Sequence, residues 1–154
     1  MSHRVLPSRA RSSRLRLRRT ESGAALVEFA LVFGLFVFIL YALIAFGMML
    51  ALKQSVTNAS AEAARSAVGI NTDADAIAKA KTTAADRLDW LGGKYQDSDT
   101  TATVGFCNGS SGPKCITVKI TYPYGSRPLV PPAPGLGLIT PDSFGSTAIV
   151  QITS

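Results

Sequence analysis

Hydrophobic positions follow three successive patterns along the chain. The first is a continuous apolar run over residues 24–52, in which Glu28 is the only charged side chain. Those 29 positions (52 − 24 + 1) exceed the roughly 20 residues that cross a bilayer core of about 30 Å. At about 1.5 Å per residue the run reaches roughly 43 Å, so its last turns can tilt or stand clear of lipid. The second pattern has a helical period. Val56, Ala59, Ala63 and Ala67 recur at i, i+3 and i+4, while Lys53, Asn58, Glu62 and Arg65 fall mostly elsewhere. No Pro interrupts, and Gly69 suits the left-handed residue that ends a helix. The spacing predicts one helix over about 23–68, with a narrow small-residue face outward of the apolar run, fit for a flat partner. Glu62 and Arg65, three apart, are expected to pair weakly.

A second helix is predicted from Thr72, an N-cap with Asp75 in the reciprocal position, and Asp73 and Asp75 complement the helix dipole. Its apolar positions are Ile77, Ala80, Ala84, Leu88 and Leu91, about 18 residues in all, and the Gly92-Gly93 pair stops it. Trp90, near its end, is expected to anchor the core. The period then becomes two. Ala102, Val104 and Phe106, then Ile116, Val118, Ile120 and Tyr122, then Ala148, Val150 and Ile152 alternate with polar or small neighbours, predicting three strands. Residues 123–145 hold six of the eight prolines and read as an irregular connection over the sheet surface. The fold class is therefore α+β: a long N-terminal transmembrane helix continuing outward, a second amphipathic helix, and a small antiparallel sheet of about three strands.

Charge alters the picture only at one end. Residues 1–23 carry seven arginines and one acid, 7 − 1 = +6, which is the whole formal net charge of +6. The remaining 131 residues hold nine basic and nine acidic side chains, so a basic nucleic-acid surface on the folded body is not expected. Arginines beside a membrane helix set topology and touch anionic lipid; they keep the N-terminus cytoplasmic and place Lys53 onward outside. One His and two Cys leave no His-based catalytic cluster and no Cys-rich zinc site, and no nucleophile–base pair or phosphate loop is visible. No catalytic role, metal or cofactor is assigned. Asp97 and Asp99 lack calcium-loop spacing and read as solvated loop acids.

Cys107 and Cys115 bracket a turn sequence between two predicted strands. A hairpin brings such residues within bridging distance, and an extracytoplasmic location lets the bond persist. The spacing is not C-x-x-C, and no third ligand is at hand. A structural disulfide is expected, supporting a domain of some 85 residues beyond Gly69 (154 − 69) that is small enough to need a staple.

The apolar run admits three readings: an uncleaved signal anchor, a cleaved secretory signal, or a pilin-type leader. The run is too long for the 7–15-residue core of a secretory signal, and Ala59-Ser60-Ala61, which resembles a cleavage site, lies beyond its end. Glu28 is costly inside an apolar span: either its carboxylate snorkels towards the nearby headgroups, or it has a function that the residues around it must reveal. Gly23, followed five positions later by Glu28 and then Phe29, behind a basic leader, resembles a type IV prepilin cleavage site in the form found in Flp/Tad (tight adherence) pilus proteins. The chain resembles the TadE-like minor pseudopilins over nearly its whole mature length. The resemblance covers the Glu-Phe-Ala-Leu-Val start at residues 28–32, the Ala-rich continuation, the Val-Lys-Ile-Thr-Tyr-Pro-Tyr stretch at 118–124 with Pro-Leu-Val-Pro at 128–131, and the last strand from Ser146.

The resemblance implies cleavage between Gly23 and Ala24 by a membrane prepilin peptidase. It also implies a new amine at Ala24 that pairs with Glu28 of a neighbouring subunit, and partners among pilins and pseudopilins contacted through the N-terminal helix. The expected organisation is 1–23 basic leader, 24–52 transmembrane helix, 53–69 outward continuation and 70–154 small extracytoplasmic domain. The expected protein is a single-pass component of a pilus or related secretion system, in the inner or cytoplasmic membrane. It is not an enzyme and has no nucleic-acid partner. The alternative is a bitopic cell-surface binding protein with an uncleaved signal anchor.

Overall fold

The computed structural model describes residues 21–131 and 140–152. The basic leader through residue 20 and the middle of the Pro-rich connection, 132–139, lie outside the described residues. In chain order the elements are helix α1 (Glu21–Ser66), helix α2 (Asp73–Leu88), and strands β1 (Thr100–Phe106), β2 (Lys114–Tyr122) and β3 (Phe144–Ile152). Short 3-10 turns at Asp89–Leu91 and Asp97–Asp99 complete the set. The architecture is α+β, as the change of period from helical to two predicts.

Two compact units divide the chain, Met1–Leu40 and Tyr41–Ser154. The described part of the first is an unbroken stretch of α1 whose large apolar side chains, from Leu26 to Leu40, are exposed. A helix apolar on every side needs an apolar surrounding, which the described residues do not provide. From Gly23 to Ser66 the helix is long and apolar enough to cross a membrane.

The second unit is built on a three-stranded antiparallel sheet in the order β1-β2-β3. Thr100 lies opposite Ile120 and Phe106 opposite Lys114; across the other edge of β2, Lys114 faces Ile152 and Tyr122 faces Phe144. Side chains alternate faces along a strand, so even-numbered positions turn to one side throughout. On that side Ile116, Val118, Ile120 and Tyr122 of β2 are fully buried, flanked by Ala102 and Ile152. Leu52, Val56, Ala59, Ala63 and Ala67 of α1, with Ala76, Ala80, Ala84 and Leu88 of α2, join them in one core. The flat partner expected for the small-residue face of α1 is thus the sheet. Burying each large aliphatic side chain contributes about 1.5–3 kcal/mol, whereas the alanines mainly let the layers approach closely. One polar contact interrupts this interface: the buried Ser60 Oγ hydrogen-bonds the Thr57 carbonyl and the Ser146 hydroxyl, both at 2.9 Å.

Helix ends follow the sequence signals. Gly69 has φ +80°, a value that a side chain would strain. Thr72 Oγ1 accepts from the Asp75 N–H at 3.1 Å and donates to its carboxylate at 2.6 Å. Three expectations are corrected. The α-helical part of α2 ends at Leu88, and Asp89–Leu91 tightens into a 3-10 turn before Gly92. Trp90 is 47% exposed rather than a core anchor, because Leu88 and Leu91 occupy the inward positions and the residue between them faces out. Glu62 pairs with Arg87 of α2 at 3.1 Å, not with Arg65, since α2 brings a guanidinium alongside α1. The strands also run further than their alternation suggests: β2 starts at Lys114, and β3 starts at Phe144, inside the Pro-rich connection.

Candidate functional site

The motif at the mouth of the apolar run is helical throughout. α1 begins at Glu21, so Gly23, Ala24, Glu28 and Phe29 all lie within it. Ala24 and Glu28, four apart, share a face. All four residues are exposed, and Phe29 stacks on Phe33 with ring centroids 5.7 Å apart. A Cβ added at Gly23 would meet no atom within 4 Å, so packing within the chain does not require glycine there. Glu28 forms no ion pair among the described residues. Its carboxylate stands on a helix that is otherwise apolar around it, where an unpaired charge is costly.

The far end of the apolar run is different. Ala45, Met49 and Leu52 are buried in the folded unit, while Leu43, Ile44, Phe46 and Leu50 stay exposed. The Tyr41 hydroxyl donates to the Pro131 carbonyl, and Tyr41, Ala45 and Met49 line a cleft of about 240 Å³ with Tyr124 and Pro128. These turns of the helix carry one protein-covered face and one bare apolar face.

Cys107 and Cys115 form a disulfide with Cα atoms 5.0 Å apart. It crosses the end of the β1–β2 hairpin diagonally, from Cys107, one residue beyond the last strand pair of Phe106 and Lys114, to Cys115, which lies opposite Gly105. Gly109 and Gly112 supply the left-handed turns at φ +86° and +113°, and the Cys107 N–H donates to the Pro113 carbonyl at 3.0 Å. Both glycines are needed because a seven-residue interval must reverse tightly enough for the sulfurs to meet.

A second cluster was not visible in the sequence. Arg127, in the Pro-rich connection, forms an ion pair with Asp99, donates to the Lys94 carbonyl, and lies 5.4 Å over the Tyr122 ring. The Tyr122 hydroxyl donates back to the Arg127 carbonyl at 2.6 Å. Asp99 also accepts from the Gln96 N–H at 2.9 Å. Asp99 is buried and paired, which corrects its reading as a solvated loop acid: the connection folds over it and supplies the cation. One guanidinium thus ties the connection to the segment that leads into β1. Around it, burial pushes the Tyr122, Tyr95 and Tyr124 hydroxyls above the ordinary tyrosine value. For Tyr122 the nearby Arg127 opposes that push, and for Tyr95 the hydrogen bond to Thr100 does so.

The structure brings the two predicted cysteines together and sets Gly23, Ala24, Glu28 and Phe29 on adjoining turns of one exposed helix. Among the described residues no three His, Cys, Asp or Glu side chains are placed to hold a metal ion. No curated protein and no solved structure matches the chain. The family model described as TadE-like protein matches residues 23–65, α1 from Gly23 almost to its end, consistent with a TadE-like protein of the Flp/Tad system.

Proposed function

We propose that this chain is a minor pseudopilin: a non-catalytic structural and assembly component of a Flp/Tad-type pilus or related secretion system, processed after Gly23 by a prepilin peptidase. The observation that carries the reading is a coincidence of position. The TadE-like match starts at Gly23, the glycine of the Gly23/Glu28 motif, and that glycine answers no packing need within the chain. Cleavage leaves a mature chain of 154 − 23 = 131 residues with an α-amine at Ala24. In a low-dielectric surrounding, that amine and the Glu28 carboxylate of a neighbouring pilin or pseudopilin compensate each other and fix axial register.

Topology follows from charge: the seven leader arginines hold the N-terminus in the cytoplasm and the sheet lies outside. Ala45 is the first residue of α1 buried by protein, so residues 24–44 precede any buried position, while Phe46 and Leu50 keep a bare apolar face beyond them. Those 21 residues rise about 31 Å, the thickness of a bilayer core.

The test is the intact mass and N-terminal sequence of the protein purified from membranes. A start at Ala24, lost in Gly23→Leu or without the peptidase, is the expected result, and Glu28→Ala should insert normally yet fail to enter the assembly. A start near Glu62 would mean an ordinary secreted protein. The helical conformation across Gly23 and Ala24 favours a second reading, a bitopic cell-surface binding protein, because proteases act on extended backbone and this bond must first unwind. An intact leader in cells that hold the peptidase would establish that second reading.

A further inference from the structure

We propose that the groove between the outer half of α1 and the end of α2 binds a saccharide carrying a carboxylate. The groove encloses about 480 Å³. One wall is a stripe of α1, with Asn58, Glu62 and Arg65 at spacings of four and three; the other presents Arg87 and Trp90, three apart. Two features of these walls are not accounted for by contacts among the described residues. Trp90, the largest apolar side chain available to the core, is left 47% exposed at the groove. Arg65 makes no hydrogen bond or ion pair through its side chain among the described residues, although Glu62 lies one turn away; Glu62 is held instead by Arg87 at 3.1 Å. The result is a flat aromatic face beside an uncommitted guanidinium and a fixed Arg–Glu pair.

That combination fits an acidic sugar. The C–H face of a pyranose ring stacks on an indole, whose body is apolar and whose edge stays wet. A free guanidinium takes a carboxylate through two parallel N–H···O bonds, a geometry that lysine cannot supply. The Asn58 amide donates to and accepts from hydroxyl groups, and the Glu62 carboxylate accepts from them. A peptide would seek an apolar trough or a sheet edge, and this groove offers one aromatic surface among charged and amide side chains. The inference does not rest on pilus assembly or leader processing.

Trp90 is the chain's single tryptophan, so its emission reports on the groove alone. Full-length protein in lipid nanodiscs is titrated with three probes: a galacturonic acid oligomer, a neutral galactose oligomer of equal length, and a disaccharide of N-acetylglucosamine and N-acetylmuramic acid. The expected result is a saturable shift of Trp90 emission with at least one acidic probe, with Kd at or below about 1 mM and at least about tenfold tighter than the neutral oligomer. Arg65→Ala, a change at an exposed position, should remove that tenfold preference while leaving the far-ultraviolet circular dichroism unchanged. A response to the uronate alone assigns the groove to secreted acidic polysaccharide, and a response to the muramic acid probe alone assigns it to the cell wall. No saturable shift by about 10 mM with either acid, equal response to the neutral oligomer, or unchanged binding by Arg65→Ala would each overturn the proposal.

Discussion

Arg127→Ala is the most informative single change in the folded unit, because one side chain holds three groups. Removing it breaks the pair with Asp99, the bond to the Lys94 carbonyl and the contact over Tyr122. Deleting one partner of a buried ion pair costs about 3–5 kcal/mol, since the other charge is left without compensation. Two features move this case to the lower end. The Arg127 side chain is 20% exposed, and Asp99 keeps the Gln96 N–H at 2.9 Å. The expected loss is therefore about 3 kcal/mol, a large share of the 5–15 kcal/mol typical of a domain. The measurement is urea unfolding of detergent-solubilised full-length protein, followed by the near-ultraviolet circular dichroism of its tyrosines. Asp99→Ala completes a cycle. The double variant should be less destabilised than the sum of the single ones by about 1–3 kcal/mol, because removing both charges strands neither. A loss under about 1 kcal/mol, or additivity within about 0.5 kcal/mol, would refute the clamp.

Reducing the Cys107–Cys115 bond, or replacing both residues with Ser, should cost about 2.5 kcal/mol from the loop-closure entropy of a separation of 8; an unchanged urea midpoint would contradict this. Ala63→Leu forces extra volume between α1 and the sheet and should destabilise by about 1–3 kcal/mol, whereas the same change at exposed Ala51 should not; equal effects would remove the close-packing argument. Because Tyr95, Tyr122 and Tyr124 titrate above their ordinary value when folded, the native state binds more protons at alkaline pH. Their stabilisation is complete below about pH 10 and is lost as pH rises through the folded values, at up to about 1.4 kcal/mol per pH unit for each tyrosine. A thermal midpoint equal at about pH 8 and pH 11 would count against it.

Periodicity made the elements legible where one face is apolar over several turns or pairs. The α1 rungs at Val56, Ala59, Ala63 and Ala67 and the β2 face at Ile116 to Tyr122 are buried as their spacing predicts. Thr72 and Gly69 marked their helix ends because capping is local chemistry, carried by a few adjacent residues. What escaped was long-range. The partner of Glu62 is 25 residues away in sequence and that of Asp99 is 28 away, and no periodic signal encodes such pairs. Trp90 misled because its size argues for burial while its angular position between Leu88 and Leu91 decides against it. The motif at Gly23 is contiguous, and its residues lie on adjoining turns of one exposed helix.

The hydroxyl pair of Ser60 and Ser146 acts as a vernier mark on a nearly uniform scale. Along α1 the rungs facing the sheet are alanines a turn apart, so sliding the helix by one turn, about 5.4 Å, would exchange Ala59 for Ala63 with little change in shape. Leu52 and Val56 resist that displacement from one end only. Among the described residues the serine pair is a side-chain hydrogen bond from α1 to the sheet that tells one rung from the next, and losing it costs about 0.5–1.5 kcal/mol. Under axial load on the helix the interface would therefore yield in whole-turn steps rather than continuously. Ser60→Ala would lower the first step while leaving the packed volume almost the same.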